Sequence, residues 1–219
     1  MFGKKLPAAV LWDMDGTLVD SEEYWLSSEQ SLADEYQSSW NTQDGLGLIG
    51  MSLYDSSKIM KDKMGLDLEP EEIIERLTTD VVAQLNVAIP WRPGARELLL
   101  ALRKKGIKTA LVTMSMLRMA ESVAKQIPFE AFDVIVAGDM VTHGKPHPEP
   151  YLMAANLLGV APEDCVAFED SITGLRSAEA AGTKAIGVTN ILPIPPAPGR
   201  IIWPTLEGVT IKELRRLFK

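Results

Sequence analysis

The sequence predicts an α/β protein: a Rossmann-like parallel sheet interrupted, straight after its first strand, by an all-helical insertion. Two observations carry this. Five short apolar runs with little polar alternation, 8–13, 108–113, 133–137, 165–169 and 184–188, read as strands buried on both faces of a parallel sheet. Helical patterns separate the last four, whereas residues 19–90 hold helical patterns and no convincing strand.

Taken in order, the first strand ends at Asp13, and helices are expected over 21–37, 52–64 and 70–85. Ser52 followed by Asp55 resembles a capping box, and Pro70 suits a first helical turn. Residues 87–94 (VAIPWRPG) read as a return linker. Pro93 then marks where a helix can begin, Leu98, Leu99 and Leu102 its buried face, and Gly106 its end. The patterns 149–158 and 173–181 close on Gly159 and Gly182. The Pro-rich stretch 191–199 reads as a structured surface loop, because more apolar sequence follows it. The expected division is residues 1–18 plus 91–219 as the α/β core, and 19–90 as the helical insertion.

Composition excludes several classes. The chain has 219 residues, 46% hydrophobic and 24% charged, the balance of a globular protein with a sizeable core. Thirty Asp+Glu against 22 Lys+Arg leave a charge of -8, and no dense basic block offsets it. Neither nucleic acid nor an anionic membrane surface is expected as the main partner. Lys4 and Lys5 precede an apolar run, but it stops at Asp13, too short for a signal peptide. The lone cysteine, Cys165, rules out an internal disulfide and reads as a packed strand residue. A cytoplasmic protein, monomer or weak dimer, is expected.

The chemistry begins at Asp13-Met14-Asp15-Gly16-Thr17, directly after the strand AAVLW. In an open parallel sheet, sites form at the carboxyl ends of the strands. Two carboxylates leaving a strand can converge on one reacting group, with Asp13 as nucleophile toward phosphorus and Asp15 as acid/base. Gly16 lets the backbone turn so that main-chain N–H groups face a phosphate. At the next strand end, Thr113, Met114 and Ser115 offer a hydroxyl and backbone N–H groups for phosphate oxygens. Lys145, in HGKPHPEPY, supplies a cation that offsets the charge of phosphate and nucleophile. Glu169 and Asp170 end another strand and suit Mg²⁺, a hard cation that takes oxygen ligands. An N-cap role for Asp170 or Ser171 is the other reading of that place.

With these four elements in this order, the sequence resembles the haloacid dehalogenase superfamily. DMDGTLVDSE, GKPHPEPY and FEDSITGLRSAEAAG are similar in particular to its β-phosphoglucomutase-like phosphatase branch. The resemblance implies a sheet in strand order 5-4-1-2-3 and a helical cap inserted after the first strand. It implies an aspartyl-phosphate on Asp13, with Asp15 as acid/base and Thr113 and Lys145 binding phosphate. It also implies Mg²⁺ held by a carboxylate oxygen of Asp13, the main-chain carbonyl of Asp15 and Asp170, with Glu169 assisting.

Asp15 favours a phosphate ester over carbon–halogen or carbon–phosphorus cleavage, since only the ester needs its leaving oxygen protonated. A mutase must bind a second phosphate, and here Met116 and Leu117 offer no donor, leaving Arg118 or cap residues Lys58, Lys61 and Lys63 to compensate. Hydrolysis is therefore expected, with a β-phosphoglucomutase-type transfer as the alternative. A receiver-type signalling module is shorter and carries its acceptor on the third strand. A non-catalytic phosphate sensor would be marked by loss of Asp13 or Asp15, and both are present.

In the cap, Tyr24 and Trp25 are candidates for the cleft, although such aromatics are more often bundle core. Leu48 and Ile49 lie in the Gly-rich stretch 45–50, where an apolar surface suits a substrate with some non-polar area. His143 and His147 flank Lys145 and read as loop histidines without metal-ligand company. Residues 19–90 hold 15 Asp+Glu and 4 Lys+Arg, a balance of -11, against +3 for the remainder. That distribution favours a small monophosphate (sugar, polyol or nucleoside) over a polyanion.

Overall fold

A computed structural model describes residues 5–218. Lys4 and the outer ends of the expected core segments, residues 1–4 and 219, lie outside them. Six parallel strands, β1 (Ala9–Trp12), β2 (Lys108–Val112), β3 (Val134–Val136), β4 (Cys165–Glu169), β5 (Lys184–Val188) and β6 (Ile201–Trp203), form one sheet in the order β3-β2-β1-β4-β5-β6. The expected order of five is present, extended at one edge by β6. Three residues straight after a Pro-rich loop carry no periodicity, so β6 shows only when Ile201 finds Ile186 beside it.

β1 is central, and its residues alternate between two cores. Val10 and Trp12 join the layer formed with α5 (Ala95–Lys104) and α6 (Leu117–Gln126). Ala9 and Leu11 join the layer formed with α7 (Glu149–Leu158) and α8 (Ile172–Ala180). Every residue of β1 and β4 is buried, which is why these strands read as continuous apolar runs. Trp12 pairs with Leu111 on β2 and Phe168 on β4. Asp13, Thr113 and Asp170, which follow the three strands, and Glu169, the last residue of β4, are therefore brought to one rim.

Between β1 and α5 lie α1 (Glu22–Glu35), α2 (Thr42–Leu46), α3 (Leu53–Met64) and α4 (Pro70–Val87). α1, α3 and α4 bury a core of their own around Leu32, Met60, Ile73 and Leu77. Val81 and Leu85 of α4 reach the sheet's core instead. α2 was not expected: five residues are too short to show a period, and Gly45 sits inside it. An Asn41–Asp44 capping box closes the helix. Gly45 leaves room for two side chains of α1, since a Cβ would meet Leu26 Cδ2 at 2.4 Å and Glu29 Oε2 at 2.5 Å. The expected linker also starts later, since α4 runs through Val87. Among the described residues, no helix is long and apolar enough to cross a membrane.

Candidate active site

The four strand-end elements converge on one cavity, lined by Asp13, Asp15, Thr113, Met114, Lys145 and Asp170 on the sheet side. Gly50 of the cap lies against Ser171 and Thr173, so the helical unit closes over the rim.

Lys145 is the hub. Its ammonium, with the side chain 5% exposed, donates to Asp13 Oδ1 at 2.7 Å and Val112 O at 2.9 Å, and pairs with Glu169 Oε1 at 2.7 Å. Three acceptors meet three protons. Burial works against this charge, but Asp13 and Glu169 outweigh it and hold the lysine above its ordinary pKa. Burial raises Asp13 despite Lys145, and Asp15 adds to the rise.

Asp15 is collared by four donors. Oδ1 accepts from Ser21 Oγ at 2.5 Å and Trp25 Nε1 at 3.1 Å. Oδ2 accepts from Ser115 Oγ at 2.7 Å and Thr113 Oγ1 at 3.3 Å. Two donors come from α1 or its N-cap and two from the loop after β2, so the carboxylate is aligned only when cap and core meet. Ser21, the N-cap of α1, makes no side-chain cap because its hydroxyl serves Asp15. Thr113 is likewise occupied with Asp15 and with Ser115 N–H. Among the described residues, the main-chain N–H groups of Met14, Asp15 and Met114 donate to no protein acceptor. The Met114 side chain instead packs beneath Gly144 and accepts Lys145 N–H at its sulfur.

Gly16, at φ +77°, is where the turn needs glycine: a Cβ would stand 2.0 Å from Asp170 Oδ2. Asp170 also accepts from Asn190 Nδ2 at 3.3 Å, and burial, Asp13 and Glu169 push it well above the usual carboxylate range. Glu169 is fully buried; Tyr151 O–H and Lys145 hold Oε1, and Oε2 has no hydrogen bond among the described residues. Burial and the charge of Asp13 push Glu169 up to about 7.

Oxygens of Asp13, Glu169 and Asp170 lie within 4.8 Å of one another, and the one ammonium among them pairs with the first two only. An oxygen-only donor set with excess negative charge fits a hard divalent cation such as Mg²⁺. His143 and His147 do have company, in Glu149, but the trio is a loop clasp. Glu149 accepts Thr142 and His143 N–H groups, and His147 Nδ1 accepts Glu149 N–H.

On the cap side, Trp25, Leu48 and Ile49 line the cavity. Tyr24 does not: it packs on the sheet's core and donates to Ala88 O at 3.4 Å. One residue along a helix is a turn of about 100°, which takes Tyr24 off the face that carries Trp25. That face also carries Glu22 and Glu29, which no motif in the sequence marks. Burial first, then Asp15 and Asp13, push Glu22 up to about 8, and burial pushes Glu29 up to about 7. Ser21, Tyr151 and Asn190 were also missed, although each lies on or beside a strand end or quoted motif. Burial pushes the Cys165 thiol up to about 12, in keeping with an inert packed residue.

Glu29 supplies a pH test. The folded chain binds its proton more tightly than the ordinary value of 4.5, so its stabilising contribution is present below that value and lost as pH rises through about 7. Glu29→Gln is expected to exceed the parent chain by on the order of 2 kcal/mol at about pH 8, with little difference at about pH 5, in urea melts. An equal difference at both values would contradict a charge buried at neutral pH.

Comparison with known proteins agrees with this geometry. A family model for haloacid dehalogenase-like hydrolases matches residues 7–182. A phosphorylated carbohydrates phosphatase of Thermotoga maritima is 32% identical over 186 residues, 84% of this chain and 86% of that protein. Hexitol phosphatase B of Escherichia coli is 31% identical over 194 residues, 86% of this chain and 85% of that one. The crystal structure of CbbY from Rhodobacter sphaeroides in complex with phosphate superposes with a TM-score of 0.83 at 27% identity, covering 96% of this chain and 99% of that one. From its strand-end acids to its inserted helices, the chain belongs to the haloacid dehalogenase-like hydrolase family.

Proposed function

We propose that this chain is a Mg²⁺-dependent phosphatase of a small phosphomonoester, a singly phosphorylated sugar or polyol, with 19–90 acting as a cap over the core of 1–18 and 91–219. The supporting observation is the cavity's inventory of charge: Lys145, bound to Asp13, is the one cation among its lining residues. A second phosphate would find no counter-charge. Arg118 is engaged by Glu75 and Thr79, Lys61 by Glu69 and Lys63 by Asp44, while Lys58 lies over the Tyr54 ring. This disfavours the phosphoglucomutase alternative and a bisphosphate substrate. The relatives named for carbohydrate and hexitol phosphates point the same way.

Lys145 fixes Oδ1 of Asp13, leaving Oδ2 to attack phosphorus in line with the ester oxygen. As the P–O bond breaks, Asp15 gives its proton to the departing oxygen. Asp15 then takes a proton from water, whose oxygen attacks phosphorus, and Asp13 is released with inorganic phosphate. Main-chain N–H groups of Met14, Asp15 and Met114, flanked by Gly16 and Thr113, receive the phosphoryl oxygens. Asp13, Asp170 and the Asp15 carbonyl would hold Mg²⁺, with Glu169 behind them; when bound it offsets the repulsion between ester and carboxylate. The single buried thiol, Cys165, fits a reducing, cytoplasmic setting.

Phosphate release from a panel of hexose, hexitol and nucleoside monophosphates tests the reading. Turnover of a sugar or polyol ester that needs Mg²⁺ and stops with EDTA is expected. No release from any monoester, p-nitrophenyl phosphate included, overturns it.

A further inference from the structure

Beyond Lys145 the cavity changes character. The face of α1 that closes it carries Glu22, Trp25, Leu26 and Glu29, the i, i+3, i+4, i+7 spacing of one helical stripe. The wall around them is apolar, with Leu48, Ile49, Met60 and Leu77. Carboxyl groups among such neighbours need partners, and the protein gives them few. Glu29 is 6% exposed, and its hydrogen bond from Trp40 Nε1 falls on Oε2, so Oε1 has no donor among the described residues. Glu22 accepts no hydrogen bond from any described residue and faces Asp15, Asp13 and Glu29, with no cation beside it. Gly45 leaves Glu29 the space it occupies at the far end.

We propose that Glu22 and Glu29 are the leaving-group specificity residues: their carboxyl groups receive the hydroxyls of a neutral, polyhydroxylated carbon chain whose phosphate sits at Asp13, and they disfavour a chain bearing a second anion. The inference rests on the phosphatase reading above. Glu22 lies at the catalytic end and Glu29 two turns further, and seven residues of helix span about 10 Å, within reach of an open chain of about six carbons. Hydroxyl protons supply the donors that both carboxyls lack, and the C–H faces of the chain lie against the apolar wall. A carboxylate or phosphate at the far end would meet Glu29 with no cation to answer it.

The test compares kcat/KM for a hexitol 6-phosphate, the aldonic acid 6-phosphate of equal length, and p-nitrophenyl phosphate, which has no hydroxyl to read. The parent chain is expected to prefer the hexitol ester over the aldonate by about tenfold or more. Glu22→Leu and Glu29→Leu are each expected to lower the hexitol-to-nitrophenyl ratio by about tenfold, chiefly through KM. Glu22→Gln, which keeps an acceptor, retains more of that ratio while narrowing the hexitol-to-aldonate preference. Unmoved ratios in folded variants overturn the proposal, as does a parent chain that prefers the aldonate. The parent preference needs no variant, so misfolding of a substitution does not protect the idea. If the parent hydrolyses no ester, the phosphatase reading fails separately. Calorimetry of hexitol and aldonate phosphates with the Asp13→Asn chain then decides this one, with equal affinities overturning it.

Discussion

Asp13→Asn is expected to abolish phosphate release, by about 10⁴-fold or more, without loss of the fold. The amide cannot form the acyl phosphate, and nothing else on the rim is placed to replace it. Structurally the substitution is mild. Lys145 keeps Glu169 and Val112 O, and an amide oxygen can still accept its third proton. Asp13 is also a cause of the raised pKa of both Glu169 and Asp170. Removing its charge relieves that repulsion, so a thermal midpoint at or above that of the parent chain is expected. A variant that keeps more than about a hundredth of the activity would sink the nucleophile assignment. A midpoint that falls sharply would show that Asp13 is needed to balance Lys145.

Lys145→Met should damage both stability and turnover. It leaves Asp13, Glu169 and Asp170 buried with no ammonium among them. Breaking a buried ion pair from one side costs about 3–5 kcal/mol. Part of that cost is avoided by protonation, because burial already pushes Glu169 up to about 7 and without Lys145 it rises further. The loss should therefore shrink as pH is lowered: carboxyls with raised folded pKa contribute stability that is present at low pH and lost as pH rises. Turnover should fall by about 10²–10³-fold, the scale for losing a fixed charge at a developing anion. Lys145→Arg keeps the charge but cannot place three donors on three acceptors in a closed space, and should fall between the two. Denaturant melts at two pH values and steady-state rates check both halves. Equal stability of the methionine variant and the parent would contradict the hub role.

Much of the site was legible because strand ends are legible. Asp13, Thr113, Lys145, Glu169 and Asp170 each follow an apolar run or sit before a helix start, and a parallel sheet brings such places to one edge. The donors around Asp15 were not. Trp25 and Ser21 come from the cap and Ser115 from the loop after the neighbouring strand, and a serine or tryptophan in sequence carries no mark of the carboxylate it will meet. Thr113 was named for phosphate, and its hydrogen bond to Asp15 likewise carries no mark in the sequence. Glu22 and Glu29 were not singled out, because an acid among the 15 of residues 19–90 carries no local mark of its burial. Tyr24 and Trp25, adjacent in sequence, both pack on the core, and one step of helical rotation decides that only Trp25 also lines the cavity.

By itself, then, the amino-acid order determined the alternation of buried strands and amphipathic helices, the place of the insertion and the identity of the acids at each strand end. These follow from local periodicity and from burial on both faces, which leave their mark residue by residue. Tertiary structure alone decided the sixth strand, the short helix that gives Glu29 its space, and which side chains share the cavity. Ile201–Trp203, unlike the equally short β3 with its longer apolar run, shows as a strand only when β5 offers it hydrogen bonds. Likewise a carboxyl group has no role until the groups around it determine whether it lies in water, in an ion pair or against a substrate.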